Sequence, residues 1–143
     1  MNTYFRRLII NITNFNTLLQ AARKEPEPQR LLFVFTRPEL PDGHSKLEAE
    51  RFHAGQGGTL TPIMYVDKTL DELSNFADMV AESQQMGEQW KIVFVAALSG
   101  RNGVLPSSSE TQATLDMMVK SIQQGIVSKF LAYDSNGQSV NFK

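Results

Sequence analysis

Two apolar runs constrain this chain more than any other feature: the unbroken Leu31-Leu32-Phe33-Val34-Phe35, and Trp90-Lys91-Ile92-Val93-Phe94-Val95-Ala96-Ala97-Leu98, interrupted only by Lys91. Each is too short for a helix in its context, the first stopping at Thr36-Arg37-Pro38 and the second at Ser99-Gly100. A short run with no polar alternation reads as a strand covered on both faces, as central strands of α/β sheets are. Ile63–Val66 and Phe130–Tyr133 are shorter runs of the same character. The chain has 143 residues, 41% of them hydrophobic, which suits one domain with a real core.

Helical spacing fills the intervals. Phe15, Leu18, Leu19 and Ala22 make one stripe, with Thr13 or Asn14 as cap and Glu25-Pro26-Glu27-Pro28 as stop, predicting a helix over 14–25. Thr69 with Glu72 is a capping box ahead of Leu70, Leu73, Phe76, Ala77, Val80 and Ala81, with Gly87 closing the helix. Ser107 with Glu110, or Ser109 with Gln112, opens another helix, whose stripe is Leu115, Met118, Val119 and Ile122 and which Gly125 stops. Asp134-Ser135-Asn136-Gly137 reads as a hairpin turn leading to an edge strand over 139–142.

Strand–helix–strand units nearly always cross over right-handed into a parallel pair. The expected fold is therefore α/β: a single domain over 14–143, with a mostly parallel sheet of four or five strands, helices packed on it and an antiparallel C-terminal edge strand. Residues 1–13 are expected to be a flexible extension. Their basic pair Arg6-Arg7 precedes only Leu8, Ile9 and Ile10, too few apolar residues for a secretory signal, and the functional alternative for them is a short docking strand. The protein is on that ground expected in the cytoplasm, and no apolar run approaches the roughly 18 residues of a membrane span.

Between Arg37 and Pro62 the chain makes an excursion too long for a turn. Ser45-Lys46-Leu47-Glu48 is a capping box for a charged helix over 46–54, outside the sheet. Gly55, Gly57 and Gly58 suit its exit to a flap spanning 37–61.

Ligands in parallel sheets sit beyond the carboxyl ends of the strands. If the turns after Phe35, Val66 and Leu98 open to one edge, Arg37, Glu39, Asp67, Lys68, Ser99 and Arg101 share a rim. Arg37, Lys68, Ser99, Arg101 and Ser107 are its candidate anion-binding residues, since an arginine clamps a carboxylate or phosphate and a helix start offers free amides. Glu39 and Asp67 are the candidate acid–base groups. The bland account is that charges at strand ends meet water, glycines make turns and serines cap helices. His44, Glu48 and His53, with Asp42 and Glu50 nearby, are metal-binding types, but helical geometry swings His53 about 90° from Glu48 and no recognised ligand spacing occurs. Metal is therefore not expected, and neither a dinucleotide fingerprint, a Walker loop nor a G-x-S-x-G elbow is present, so no cofactor is expected.

Composition narrows the partners. The chain has no cysteine, which removes disulfides, thiolate metal sites and thiyl chemistry. Net charge −1, with Arg6-Arg7 and Arg23-Lys24 as isolated basic pairs, argues against nucleic acid. A protein partner or a small anion remains; Met79, Met86, Met117 and Met118 lie on the two main helices, and the terminal strand Ser139–Phe142 could pair across a homodimer.

From Asn14 onward the chain resembles a small family of uncharacterised bacterial proteins, through the phrases NFNTLLQAAR, PEPQRLLFVFTRPELP, GGTLTPIMYVDKTLDEL and WKIVFVAALSGRNG. Members typically start close to the first helix, and some carry the label ribonucleotide reductase alpha subunit. Such a subunit works through cysteines, so no residue role is carried over from it. Val34-Phe35-Thr36-Arg37-Pro38-Glu39-Leu40 is also similar to a phrase of the enhanced-serine-sensitivity protein family, which implies a small α/β domain. The expected function is non-enzymatic binding of a partner or anion through the rim and flap. The competing expectation is a small enzyme acting on an anionic metabolite at that rim, with Asp67 or Glu39 as base and Arg101 or Lys68 holding the anion.

Overall fold

Side-chain oxygens that close first turns set the helix starts in the computed structural model, which describes residues 14–40, 43–54, 58–73, 75–87 and 89–141. Asn14 opens α1 (Phe15–Arg23): its Oδ1 accepts from the Thr17 N–H at 3.0 Å, while Thr17 Oγ1 accepts from the Asn14 N–H at 3.2 Å. Ser45 and Glu48 form the same reciprocal pair ahead of α2 (Lys46–His53), which buries none of its residues. Ser107, rather than Ser109, caps the longest helix, α4 (Ser108–Gln123).

One expected helix divides. The Thr69–Glu72 box forms, with Glu72 accepting from the Thr69 N–H at 2.8 Å, but it starts a single 3₁₀ turn, Leu70–Glu72. Leu73 turns extended (φ −106°, ψ 122°), and α3 (Phe76–Gln85) begins afresh where Asn75 accepts from the Asp78 N–H. Asn75 competes for the chain because a carboxamide at a cap satisfies an amide that a continuous helix would have used internally.

The strands are β1 (Gln29–Glu39), β2 (Thr59–Thr69), β3 (Ile92–Ser99) and β4 (Leu131–Asp134), in the order β2-β1-β3-β4. Every neighbouring pair is antiparallel, which overturns the mostly parallel sheet expected from the sequence. The crossover rule describes direction, and in direction β2 and β3 do agree, because both oppose β1. They are not hydrogen-bonded neighbours, since β1, made earlier in the chain, lies between them. Its Leu31–Phe35 run has no exposure above 1%, and the central slot is where such a run removes most apolar surface from water. Residues 124–130 return the chain from α4 so that β4 enters antiparallel to β3, Val95 opposite Leu131 and Ile92 opposite Asp134.

Alternation along β1 divides the core. Leu31, Phe33 and Phe35 face α1 and α3: the Phe15 and Phe33 rings lie 6.0 Å apart, Phe15 and Phe76 4.9 Å, and Phe35 and Trp90 5.1 Å. Leu32 and Val34 point to the other side, where α4 contacts β1 and β2 and buries Leu115, Met118 and Ile122. After β4 the turn at Asp134–Gly137 reverses the chain, with Asp134 N–H donating to Gln138 and Val140 N–H to Ala132. Tyr133 therefore sits opposite Ser139 in an isolated antiparallel bridge, where the sequence leads to the expectation of an edge strand over 139–142. No helix among the described residues is long and apolar enough to cross a membrane. Residues 1–13, expected as an extension, lie outside the described residues, as do Asp42, Gly55, Gly57 and Phe142.

Candidate functional site

An antiparallel sheet sends the ends of hydrogen-bonded neighbours to opposite edges, and the expected rim is split accordingly. Gln29 opposite Ser99 and Arg30 opposite Thr69 put the start of β1 and the ends of β2 and β3 together. Asp67, Lys68, Ser99, Arg101 and Ser107 thus belong to one end of the sheet. Arg37 and Glu39, toward the end of β1, belong to the other, about 24 and 31 Å along the strand from Arg30 at ~3.4 Å per residue. There they pair with each other, Nε to Oε1 at 3.1 Å, both nearly half exposed. The flap also shrinks: Arg37–Glu39 and Thr59–Thr61 are paired strand, which leaves 40–58 as the excursion.

The shared end is divided again by the pleat. Asp67 and Lys68 are adjacent in β2 and point to opposite faces. Asp67 Oδ2 accepts from Arg30 Nη1 at 2.8 Å, and Lys68 Nζ donates to Glu82 of α3 at 2.7 Å. Ser99 is held at the edge of the core: its Oγ accepts from the buried Gln29 Nε2 at 3.0 Å and donates to the Gly100 carbonyl. Ser107 is used as a cap.

Arg101 is different. Just past β3, Arg101 and Val104 exchange backbone hydrogen bonds at 2.9 Å around Asn102 (φ +53°) and Gly103 (φ +80°). Positive φ at both central residues makes a type I′ hairpin, for which an Asn-Gly pair is the best sequence. The loop's outward amides are taken up within the chain: both Asn102 and Gly103 N–H donate to the Glu27 carboxylate, at 3.0 and 2.8 Å. In the sequence Glu27 figures only as part of a helix stop. Its partner is 75 residues away, and the outward amides of a type I′ turn were the available signal.

Behind the hairpin, Gly100 packs so closely that a Cβ there would overlap the Val104 carbonyl and press on Pro28. Ser99, Gly100, Arg101, Val104, Leu105, Pro106 and Glu110 enclose a cleft of about 210 Å³. Arg101 is 86% exposed and only 3.9 Å from Glu110, while Val104 is 67% exposed. The tip thus shows a cation and two adjacent apolar residues, Val104 and Leu105, on a backbone pinned from behind.

A second cleft, of about 520 Å³, runs along α3 and the β4 turn. Asn16, Asn75, Gln84 and Asn136 rim it over Phe76, Ala77, Val80 and Ala81, with no ionisable group among the described residues that line it. Two of the metal-binding types that the sequence sets near one another, Glu48 and His53, have other contacts. Glu48 is a capping group, its carboxyl held below the ordinary range by hydrogen bonds from the Ser45 backbone and then side chain, and the His53 ring packs edge-on to Phe52. Among the described residues no group of three possible ligands could hold an ion. Tyr133 is pushed upward by burial, but it lies in the core against Phe15. Met79 and Met118 are core residues, whereas Met86 and Met117 are exposed.

Comparison with known proteins brings no relative to bear on this site: no family model, no curated protein and no solved structure matches the chain.

Proposed function

We propose that this chain is a non-enzymatic cytoplasmic binding protein that engages a protein partner through the Arg101–Pro106 hairpin tip. The partner surface would offer a carboxylate for Arg101 beside an apolar recess for Val104 and Leu105. One observation carries the reading: the tip exposes a cation and two apolar side chains on a backbone that Glu27, Gly100 and the type I′ turn hold in place. Preorganised arginine and apolar anchors lose little freedom on binding, which is what makes such residues energetically dominant at interfaces.

Dispersion of the acid–base candidates favours binding over catalysis. An enzyme at this rim needs Asp67 or Glu39 beside Arg101 or Lys68, yet Asp67 is committed to Arg30 on one face, Lys68 to Glu82 on the other, and Glu39 lies at the far end.

The test is site-specific photocrosslinking in cells, with a benzophenone amino acid at Val104. A discrete adduct that disappears with Arg101→Glu, but persists with Arg37→Glu at the opposite end, is the expected result. Absence of any adduct, or one indifferent to Arg101, rejects the tip as the interface. A second reading, a small anion at Arg101, rests on the carboxylate already held by the neighbouring amides. Calorimetric titration with inorganic phosphate decides it: heat of binding lost in Arg101→Ala supports the anion, and no heat in the unaltered protein removes it.

A further inference from the structure

β2 is an outer strand of the sheet, and the open part of its edge is short and symmetric. The Gly100 N–H donates to the Pro28 carbonyl, and in that register the even-numbered residues of β1 turn their backbone groups toward β3. Those of Leu31, Phe33 and Phe35 therefore face β2, opposite Lys68, Val66 and Met64, and the backbone groups of Tyr65 and Asp67 point outward. The edge is closed at both limits. Pro62, opposite Thr36 on the far side of the bulge, has no N–H to offer, and the outward N–H of Thr69 is taken by Glu72 at 2.8 Å. Between those limits, the outward N–H and C=O groups of Tyr65 and Asp67 have no backbone partner among the described residues.

Side chains along this edge do little to repel another strand. Solitary edges are usually guarded by charge, yet Thr59–Val66 carries none. Tyr65, opposite Val34, lies on the α4 face and is 46% exposed; Met64 and Val66, opposite Phe35 and Phe33, lie on the α3 face. The two charges that follow are neutralised within the chain, Asp67 by Arg30 and Lys68 by Glu82.

We propose that two copies of this chain pair through the β2 edge, antiparallel about a twofold axis at Val66, so that their sheets join into one. An axis there sets Tyr65 opposite Asp67 of the second copy, and every free N–H of the two edges meets a free carbonyl. Lys68 then faces Met64 of the second copy. An axis at Asp67 would put two aspartates opposite each other, and an axis at Tyr65 would set Asp67 against the bulge at Ile63 and Lys68 against Pro62. The occupant is a second copy rather than an unrelated strand because the open edge is its own complement: the same two residues are donor and acceptor on both sides, and Pro62 and Glu72 stop the pairing at the same point on each.

Sedimentation velocity of the full-length protein at micromolar concentration should show a dimer, and a monomer overturns the proposal. Tyr65→Pro removes an N–H that the β1–β2 ladder does not use, so it should give a monomer with an unchanged circular dichroism spectrum. Ser139→Pro is the matching change at the opposite side of the sheet, where the Asp134–Gln138 and Val140–Ala132 bonds turn the Ser139 N–H outward, and it should leave the dimer intact. A dimer that survives Tyr65→Pro, or that is lost with Ser139→Pro instead, refutes pairing through β2. Register is read separately, in a chain that has no cysteine of its own. Val66 faces its own copy as a non-hydrogen-bonded pair, the spacing a disulfide needs, whereas the two Met64 residues lie roughly 13 Å apart along the strands. Oxidised with copper phenanthroline, Val66→Cys should therefore crosslink two chains at least about tenfold faster than Met64→Cys. Equal rates, or no crosslink at Val66→Cys, overturn the axis even if Tyr65→Pro fails to fold.

Discussion

Ser83→Ala tests the packing of α3 on the sheet through one buried hydrogen bond. Ser83 is 4% exposed, and its Oγ accepts from the Trp90 indole N–H at 2.8 Å while donating to the Val80 carbonyl at 2.7 Å. Trp90 is itself 7% exposed, closing the core beside Phe35. Removing the hydroxyl strands a buried donor, which costs about 1–3 kcal/mol. Alanine is the better helix former by about 0.5 kcal/mol, so the propensity gain offsets only part of the loss. The Val80 carbonyl adds little, because serine's bond to it is a local one within the helix. The expected net destabilisation is about 1–2 kcal/mol, a fall of roughly 0.5–1 M in the urea midpoint for a slope near 2 kcal/mol/M.

Trp90 is the one tryptophan of the chain, so its fluorescence follows unfolding without a label. Trp90→Phe, alone and with Ser83→Ala, completes the cycle, with circular dichroism as the probe: once the indole is gone, losing the hydroxyl should cost almost nothing. A midpoint for Ser83→Ala equal to that of the parent, or an equal loss in the Trp90→Phe background, would show that the indole finds another partner and that the packing is looser than described.

Gly100→Ala should destabilise by at least about 1–3 kcal/mol, the range for overpacking, because the added methyl meets the backbone of Val104 rather than a side chain that can move. Its thermal midpoint falls if the hairpin is pinned as described, and a stable variant would show that the tip can shift. Glu72 has its carboxyl lowered by the Thr69 backbone and then side-chain hydrogen bonds. A depressed folded-state value contributes stability that is present above the unfolded value and lost as pH falls through the folded one. Urea midpoints of the parent and of Glu72→Gln should therefore differ at about pH 6 and converge toward about pH 3; a constant gap would remove the cap from the acid limb of stability.

Helix starts were legible because their information is local. Asn14, Ser45 and Ser107 each sit a few residues from the amide they satisfy, and the pattern that identifies them is the geometry itself. The division at Leu73 was less legible, since the Thr69 box and the Asn75 cap are both strong local signals and the choice between one helix and two falls to packing. Site residues fared according to the distance of their partners. The hairpin at Arg101–Val104 carries a local signal in its Asn-Gly pair, which the reading of this loop as an anion site passed over, whereas Glu27 and Arg30 meet Gly103 and Asp67 only after the sheet has formed.

By itself the sequence determined that the runs Leu31–Phe35 and Trp90–Leu98 hold strands covered on both sides, the second of which begins at Ile92, that helices lie between them, and where most of those helices begin. Apolar runs and caps encode burial and local closure, and both survive in any arrangement of the elements. Strand direction and neighbour choice are encoded in neither, because a buried strand looks the same pointing either way. The tertiary structure decided them by placing β1 between β2 and β3, the position that covers its apolar run best. With that one insertion Arg37 and Glu39 moved to the far end, and the surface at Arg101 was left to stand alone.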